Sequence, residues 1–406
     1  MAEASLLIMS FSPLVSDARV LRQIRLFRGQ YAVTTLGYGP APEGVVEHLR
    51  LPDEAISWHK DRRMLILRRF LTAYRTSPVV AAATRLLEGR QGRYDVVLAD
   101  DIDTLPLGLD LAPRGGVHVD LHEYHPRQNE ELRRWRLFVA PYYRWLVRTY
   151  GPRADSATTV GRGIAREYER EFGLTCGVVM NAPYRRDNLA PTEVSWPPRL
   201  VHAGNGVATR LEVMLEAMAL VTNGATLDLY LIDQGDGYVP SLRERFAGSD
   251  RVRVHDAVPA AEVVETLNGY DVGVYSLPPI SFNFRWALPN KFFDFVQARL
   301  ALVIGPSPEM AGLVEEHDLG VVAQDFTPEA FAAAINALTP EGVAAAKTAS
   351  DRAAGVLCAE EQVHGWAEPV AALAERVQLR EAHEEFGASG AESVSHEDVD
   401  WDNLGQ

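Results

Sequence analysis

Val272-Gly-Val-Tyr275, then Asn283-Phe-Arg-Trp-Ala-Leu-Pro-Asn-Lys-Phe-Phe-Asp294, then Leu302-Val-Ile304 is the stretch on which the fold reading turns. Each flanking run is apolar without alternation, the pattern of a strand covered on both faces. Between them Pro289-Asn290-Lys291 opens a helix, with Pro in the first turn and Asn290 as its cap. Strand, helix and strand in this arrangement is the repeating unit of a doubly wound parallel sheet. The unit recurs outward in both directions. Leu200–Ala203, Leu227–Ile232, Val252–His255 and Val321–Ala323 read as further strands of the back half. Leu6–Met9, Val33–Leu36, Val96–Ala99, Val117–Leu121, Ala157–Val160 and Val178–Met180 read as strands of the front half. Amphipathic segments such as Asp17–Phe27, Arg62–Tyr74, Leu105–Leu111 and Ile164–Phe172 separate them.

Asn181–Pro198 holds four prolines and little periodicity, so it reads as a break. The fold class is therefore α/β, with two tandem Rossmann-like doubly wound parallel-sheet domains. Residues 1–185 form the first domain, 186–198 a linker and 199–358 the second domain. Residues 359–380 are expected as a helix packing back on the first domain. Residues 381–406 hold eight carboxylates and no Lys or Arg, and are expected as an acidic disordered tail.

Composition narrows the function. Of 406 residues, 47% are hydrophobic and 23% charged, which fits a globular chain and excludes a fibrous or wholly disordered one. The first 190 residues carry 27 basic and 22 acidic side chains, the remainder 13 and 33. A net charge of −15 argues against general nucleic-acid binding, which needs many unopposed cations. No apolar run reaches the ~20 residues needed to span a bilayer. The first ten residues lack a basic segment and a cleavage site, and Cys176 and Cys358 cannot build a disulfide framework. The expected location is cytoplasmic, with a peripheral place at the inner face of a membrane as an addition.

In open α/β sheets ligands sit beyond the carboxyl ends of the strands, so residues just after each strand carry the chemistry. Lys291, beside the free N–H groups of a helix start, suits a diphosphate, and Asp294 one turn later can accept from sugar hydroxyls. The same residues also read as a capped helix with a solvated lysine. Gly204-Asn205-Gly206 follows Leu200–Ala203, and Arg210 begins the next helix; glycines allow close backbone approach and Arg210 can grip phosphate with two donors. Gly235 lies on the same edge, with a tight turn as its other reading. In the front half Asp120-Leu-His-Glu-Tyr-His125 brings His122 and Glu123 toward the cleft. Its spacing is not that of a helical zinc site, so no metal is expected there. Asp101 and Asp103 form an Asp-x-Asp that can hold a divalent cation or, on the preferred reading, cap the next helix. Ser16 is expected to cap the first helix, with Asp17 and Arg19 in its first turn. Ser10-Phe-Ser-Pro13 is not Gly-x-Gly-x-x-Gly, which argues against a dinucleotide oxidoreductase, and Gly161-Arg-Gly163 is the nearest approach to that fingerprint but incomplete.

Ala287-Leu-Pro-Asn-Lys-Phe-Phe-Asp294, the strand Leu302–Ile304 and Pro308-Glu309-Met310 resemble the nucleotide-sugar site of the GT-B glycosyltransferases, in particular the family 4 type, also called glycosyl transferases group 1. The resemblance covers roughly residues 5–375. It implies a GT-B fold, with Lys291 facing the diphosphate and Asp294 the ribose. It further implies Asn205 and Arg210 at the diphosphate and His122 at the donor sugar, while Gly204, Gly206, Gly235 and Asn290 are donor-binding candidates from their places at strand and helix ends. Asp17, Arg19 and Glu123 fall on the acceptor side. Two positions depart from the family pattern. Trp286 stands where an acidic residue is common, and Asp294 is one methylene shorter than the usual Glu.

The implied activity is a hexosyltransferase acting from a nucleoside-diphosphate sugar on a glycan, lipid-linked or small-molecule acceptor. The implied reaction retains anomeric configuration and needs no metal or other cofactor, in the setting of polysaccharide biosynthesis. A nucleotide-sugar epimerase of the same architecture and a non-catalytic sugar-nucleotide binder are the alternatives. Segments around Lys60–Phe70, Arg133–Arg136 and Tyr142–Trp145 mix cations with apolar residues, which suits either an anionic membrane or ordinary helices.

Overall fold

The computed structural model describes residues 3–391. Strands β1 (Ser5–Pro13), β2 (Ala32–Tyr38), β3 (Glu47–Arg50), β4 (Val96–Asp100), β5 (Gly116–Asp120), β6 (Ser156–Thr159) and β7 (Gly177–Val178) form one sheet, in the order β3-β2-β1-β4-β5-β6-β7. Strands β8 (Arg199–Asn205), β9 (Thr226–Ile232), β10 (Val252–Asp256), β11 (Val272–Tyr275), β12 (Ala301–Ile304) and β13 (Gly320–Val322) form another, in the order β10-β9-β8-β11-β12-β13. Neighbouring strands in both are parallel. Each sheet is therefore doubly wound, and its strand order reverses beside its first strand, β1 or β8. A crevice forms at the carboxyl ends there.

Alternation along the strands assigns the two faces of each sheet. In the first, Leu7, Met9, Val97 and Ala99 pack into one apolar layer, while Leu6, Ile8, Val96 and Leu98 pack into the opposite one. That opposite layer is closed by the helix Ala18–Phe27 and by Trp366, Val370 and Leu373 of the long helix His364–Ala391. The C-terminal helix thus crosses from the second domain to complete the first. Arg376 to Asp155 at 2.6 Å and Arg114 to Glu381 at 2.7 Å pin its far half.

Several local expectations are corrected. The helix at Ala18 is capped by Asp17, whose carboxylate accepts from the Arg19 and Val20 N–H groups. Ser16 instead closes a 3-10 turn, its hydroxyl bonded to the Pro13 carbonyl. The segment expected as one helix from Arg62 to Tyr74 is two, Arg62–Ile66 and Phe70–Arg75, broken where Arg68 turns to φ 52°. The turn swings Phe70 onto Tyr142 and Trp145, and that packing outweighs the helical propensity of the run. In the helix Asn290–Gln297, Pro289 is the cap residue and Asn290 the first helical one. The C-terminal helix runs on through Ala391 rather than giving way at residue 381. The rest of the expected tail, 392–406, lies outside the described residues.

Candidate active site between the two domains

The two sheets face each other across a cavity of about 530 Å³, well inside the range for small-molecule sites. From the first domain it is lined by Asp101, His122, Glu123, His125 and Gln128; from the second by Arg210, Tyr275, Asn283, Asn290 and Lys291. Six of the residues singled out from the sequence, Asp101, His122, Glu123, Arg210, Asn290 and Lys291, therefore meet in one place.

Arg210 projects from the first turn of the helix Ala208–Leu220, its guanidinium 5.5 Å from the Phe284 ring centre. Lys291 projects from the start of the helix Asn290–Gln297. Neither cation forms an ion pair with a carboxylate among the described residues. Burial, then the neighbouring Arg210, pulls the Lys291 ammonium below its ordinary pKa, and Asp294 offsets this in part. Two like charges that lower each other's stability in a partly enclosed site are what an incoming dianion relieves. Gly204, at the end of β8, makes the convergence sterically feasible. It adopts φ 152°, and a Cβ there would lie 1.8 Å from the Lys291 Cε. His202 beneath them is held neutral, its pKa lowered to about 4 by burial, with the two cations adding to the effect.

Opposite stands His122, in the left-handed region at φ 49°. Its Nε2 lies 3.6 Å from Asp100 and 3.7 Å from Asp120, and its Nδ1 3.9 Å from Asp101. Burial works against the imidazolium, but the carboxylates of Asp101, Asp100 and Asp120 outweigh it and raise the pKa to about 9. Asp100, fully buried, is pushed up to about 7, whereas Asp120 is drawn down to about 2 against its own burial by Arg19. Asp100, Asp120 and His122 bring three possible metal ligands within 4.8 Å. A cation already occupies that place: Arg19 donates to both Asp120 oxygens at 2.7 Å, and Gln23 donates to Asp100 and Asp120. A metal ion does not fit a carboxylate so engaged.

Arg19 is thus a buried scaffold residue, with further bonds to Val179 and Asn181, and Asp17 is its helix cap; neither lines the cavity. The Asp101 and Asp103 carboxylates do not cap the following helix. Asp101 turns to His125 at 3.5 Å, and Asp103 to Lys60 at 3.3 Å and Tyr143 at 3.1 Å. Asn205 is exposed at the end of β8, Gly206 packs under Val239, and Gly235 sits in an open turn; none of the three lines the cavity.

Asp294 lies behind Lys291, and burial raises its carboxyl to about 6 despite Lys291 and Arg186. A carboxyl raised in the fold above its ordinary 3.8 favours the neutral form, so stability falls as pH climbs through that window. Asp294→Asn is expected to stabilise the free protein at neutral pH by about 2 kcal/mol and to leave it unchanged at pH near 4. Thermal melts at both pH values measure this; equal melting of variant and parent at neutral pH would show a hydrated carboxylate instead.

Three contacts that the sequence did not disclose hold the domains together. The Glu309 carboxylate accepts from the Arg162 and Gly163 N–H groups, capping the helix Arg162–Phe172 from the other domain. Trp286 packs directly over Gly163, where a Cβ would overlap the indole. Asn283 accepts from the Tyr124 N–H at 3.1 Å and donates to Glu123 at 3.3 Å. Asn283 and Trp286 stand inside the quoted stretch, but only the facing loop reveals what they do.

Residues 197–341 match the family model described as "Glycosyl transferases group 1". A search of curated protein sequences finds no match. Among solved structures, a glycosyltransferase from Rickettsia africae is similar at TM-score 0.65 and 10% identity, over 92% of this chain and 99% of that one. An α,α-trehalose 6-phosphate synthase from Burkholderia multivorans is similar at 0.61 and 11%, over 92% and 99%. Anabaena HepE, in complex with UDP and glucose, is similar at 0.60 and 12%, over 91% and 99%. At such identities these likenesses establish the GT-B fold.

Proposed function

We propose that this chain, a GT-B protein with a group 1 glycosyl transferase domain, moves a hexose-type sugar from a nucleoside-diphosphate donor to an acceptor bound against the first domain. The observation that carries the reading is the convergence of Arg210 and Lys291, without carboxylate partners among the described residues, on a cavity whose far wall holds His122. When the bond between the anomeric carbon and the diphosphate breaks, negative charge grows on the departing oxygens. Arg210, Lys291 and the N–H groups at Asn290 meet that charge, and their effect is larger in the transition state than in the ground state. They supply locally the neutralisation that a divalent metal supplies elsewhere, so the reaction is proposed as metal-independent. The acceptor oxygen bonds to the anomeric carbon and its proton passes to the leaving diphosphate. No protein base is required for this, in keeping with the retaining outcome that the family resemblance implies. His122, charged at neutral pH, donates a hydrogen bond to the donor sugar.

A panel of nucleotide sugars tests this, first by ligand-induced thermal shift and then by release of nucleoside diphosphate with added acceptors. UDP sugars come first, since the Anabaena structure holds UDP. The expected result is a shift with at least one donor, acceptor-dependent diphosphate release, and no loss of activity with excess chelator. A thermal shift without release would indicate a binder, conversion of the donor without acceptor an epimerase, and loss with chelator a metal requirement.

A further inference from the structure

Arg62 to Leu87 carries six arginines and no carboxylate, and Leu132 to Tyr150 carries five and none, in a chain of net charge −15. The fold joins these stretches: the helix Arg62–Ile66 packs beside the π-helical turn Trp135–Val139. Arg62, Arg63, Arg68, Arg69, Arg133 and Arg134 are exposed there. Elsewhere on the surface Arg50, Arg90, Arg144 and Arg170 each hold a carboxylate. These six hold none among the described residues. On the same two stretches Ile66 is 57% exposed, Leu67 62%, Leu132 55% and Leu137 60%. Scattered exposed leucines need no explanation, but four exposed apolar side chains on two joined stretches that also carry six unpaired guanidinium groups do.

We propose that this face docks on an anionic phospholipid membrane. The guanidinium groups match lipid phosphates, while the leucines and isoleucine require hydrocarbon. A nucleic acid or acidic polysaccharide satisfies only the first demand; a membrane interface satisfies both. No helix among the described residues is long and apolar enough to cross a bilayer, so the contact is peripheral. The inner side of the patch is tied to the site. Lys60 reaches Asp103 at 3.3 Å, Tyr74 donates to the Asp103 carbonyl at 2.9 Å and Tyr143 to its carboxylate at 3.1 Å. Asp103 stands two residues beyond Asp101 of the cavity wall, so docking brings the first domain's half of the cleft beside the lipid surface. A lipid-linked acceptor follows only if the transferase reading holds; docking itself does not depend on it.

Co-sedimentation of the full chain with vesicles tests docking without turnover. Binding is expected to phosphatidylcholine vesicles containing roughly a third phosphatidylglycerol at low salt, and to weaken about tenfold or more in Arg63→Glu/Arg69→Glu/Arg133→Glu. Ile66→Ser/Leu67→Ser should weaken it several-fold, with residual binding now abolished by salt. Both variants should retain the parent's melting temperature and its thermal shift with nucleoside diphosphate. Absence of binding at low salt, equal binding to pure phosphatidylcholine, full retention in either variant, or complete displacement by soluble polyphosphate would each overturn the proposal.

Discussion

Lys291→Ala is expected to lower turnover at saturating donor by about one to two powers of ten, because a charge-assisted bond to the departing diphosphate contributes roughly 1.5–3 kcal/mol. Arg210→Ala should cost a similar factor. The double variant should lose less than the product of the two, since both cations act on one dianion and their effects are coupled. A second readout separates this role from a structural one. Lys291 is destabilised where it stands by burial and by Arg210. Lys291→Met should therefore melt higher than the parent when both are free, and gain much less from added nucleoside diphosphate. Unchanged kinetics in Lys291→Ala, or an equal ligand-induced shift in Lys291→Met, would remove the residue from the site.

The second large effect is a pH dependence. His122 is raised to about 9 by three carboxylates that together overcome its burial. A histidine raised above its ordinary 6.5 is charged throughout the neutral range and loses its proton only as pH climbs through about 9. Activity should therefore be flat through neutrality and fall across that alkaline window, with loss of the hydrogen bond to the donor sugar. Folding stability should begin to decline earlier, from about pH 6.5 where the unfolded histidine loses its proton, and level off above about 9. His122→Gln should lower turnover roughly tenfold to a hundredfold and abolish the alkaline limb. Asp101→Asn, which removes the largest supporting charge, should move that limb toward neutral pH. An alkaline limb that stays in place in Asp101→Asn would show that some other group titrates.

How much of this was legible in the sequence follows from the range of the forces involved. The strands β8, β11 and β12 are short apolar runs whose identity rests on local pattern, and they stand close to where they were read. Lys291 and Arg210 were legible because the carboxyl ends of parallel strands share one edge, whatever the details of packing. The break at Arg68 was not, because it depends on Phe70 finding Tyr142 and Trp145, more than 70 residues away. Arg19, expected on the acceptor side, is a buried helix residue bonded to Asp120 at the end of β5. Nor does any local signal show that Glu309 caps a helix of the opposite domain. The bond requires two surfaces to meet, and sequence adjacency carries no information about that meeting.

The helix His364–Ala391 has a consequence for how the molecule comes into being. Leu6, Ile8, Val96 and Leu98 leave the ribosome well over 200 residues before Trp366, Val370 and Leu373, which supply part of their cover. The helix Ala18–Phe27 covers one part of that face early, but the part under Trp366, Val370 and Leu373 stays bare until those residues have been made, so the lobe begun first is completed after the second. The amino-terminal half expressed by itself would display an oily, unpaired face and aggregate, whereas a separately supplied peptide spanning 359–391 should rescue its solubility.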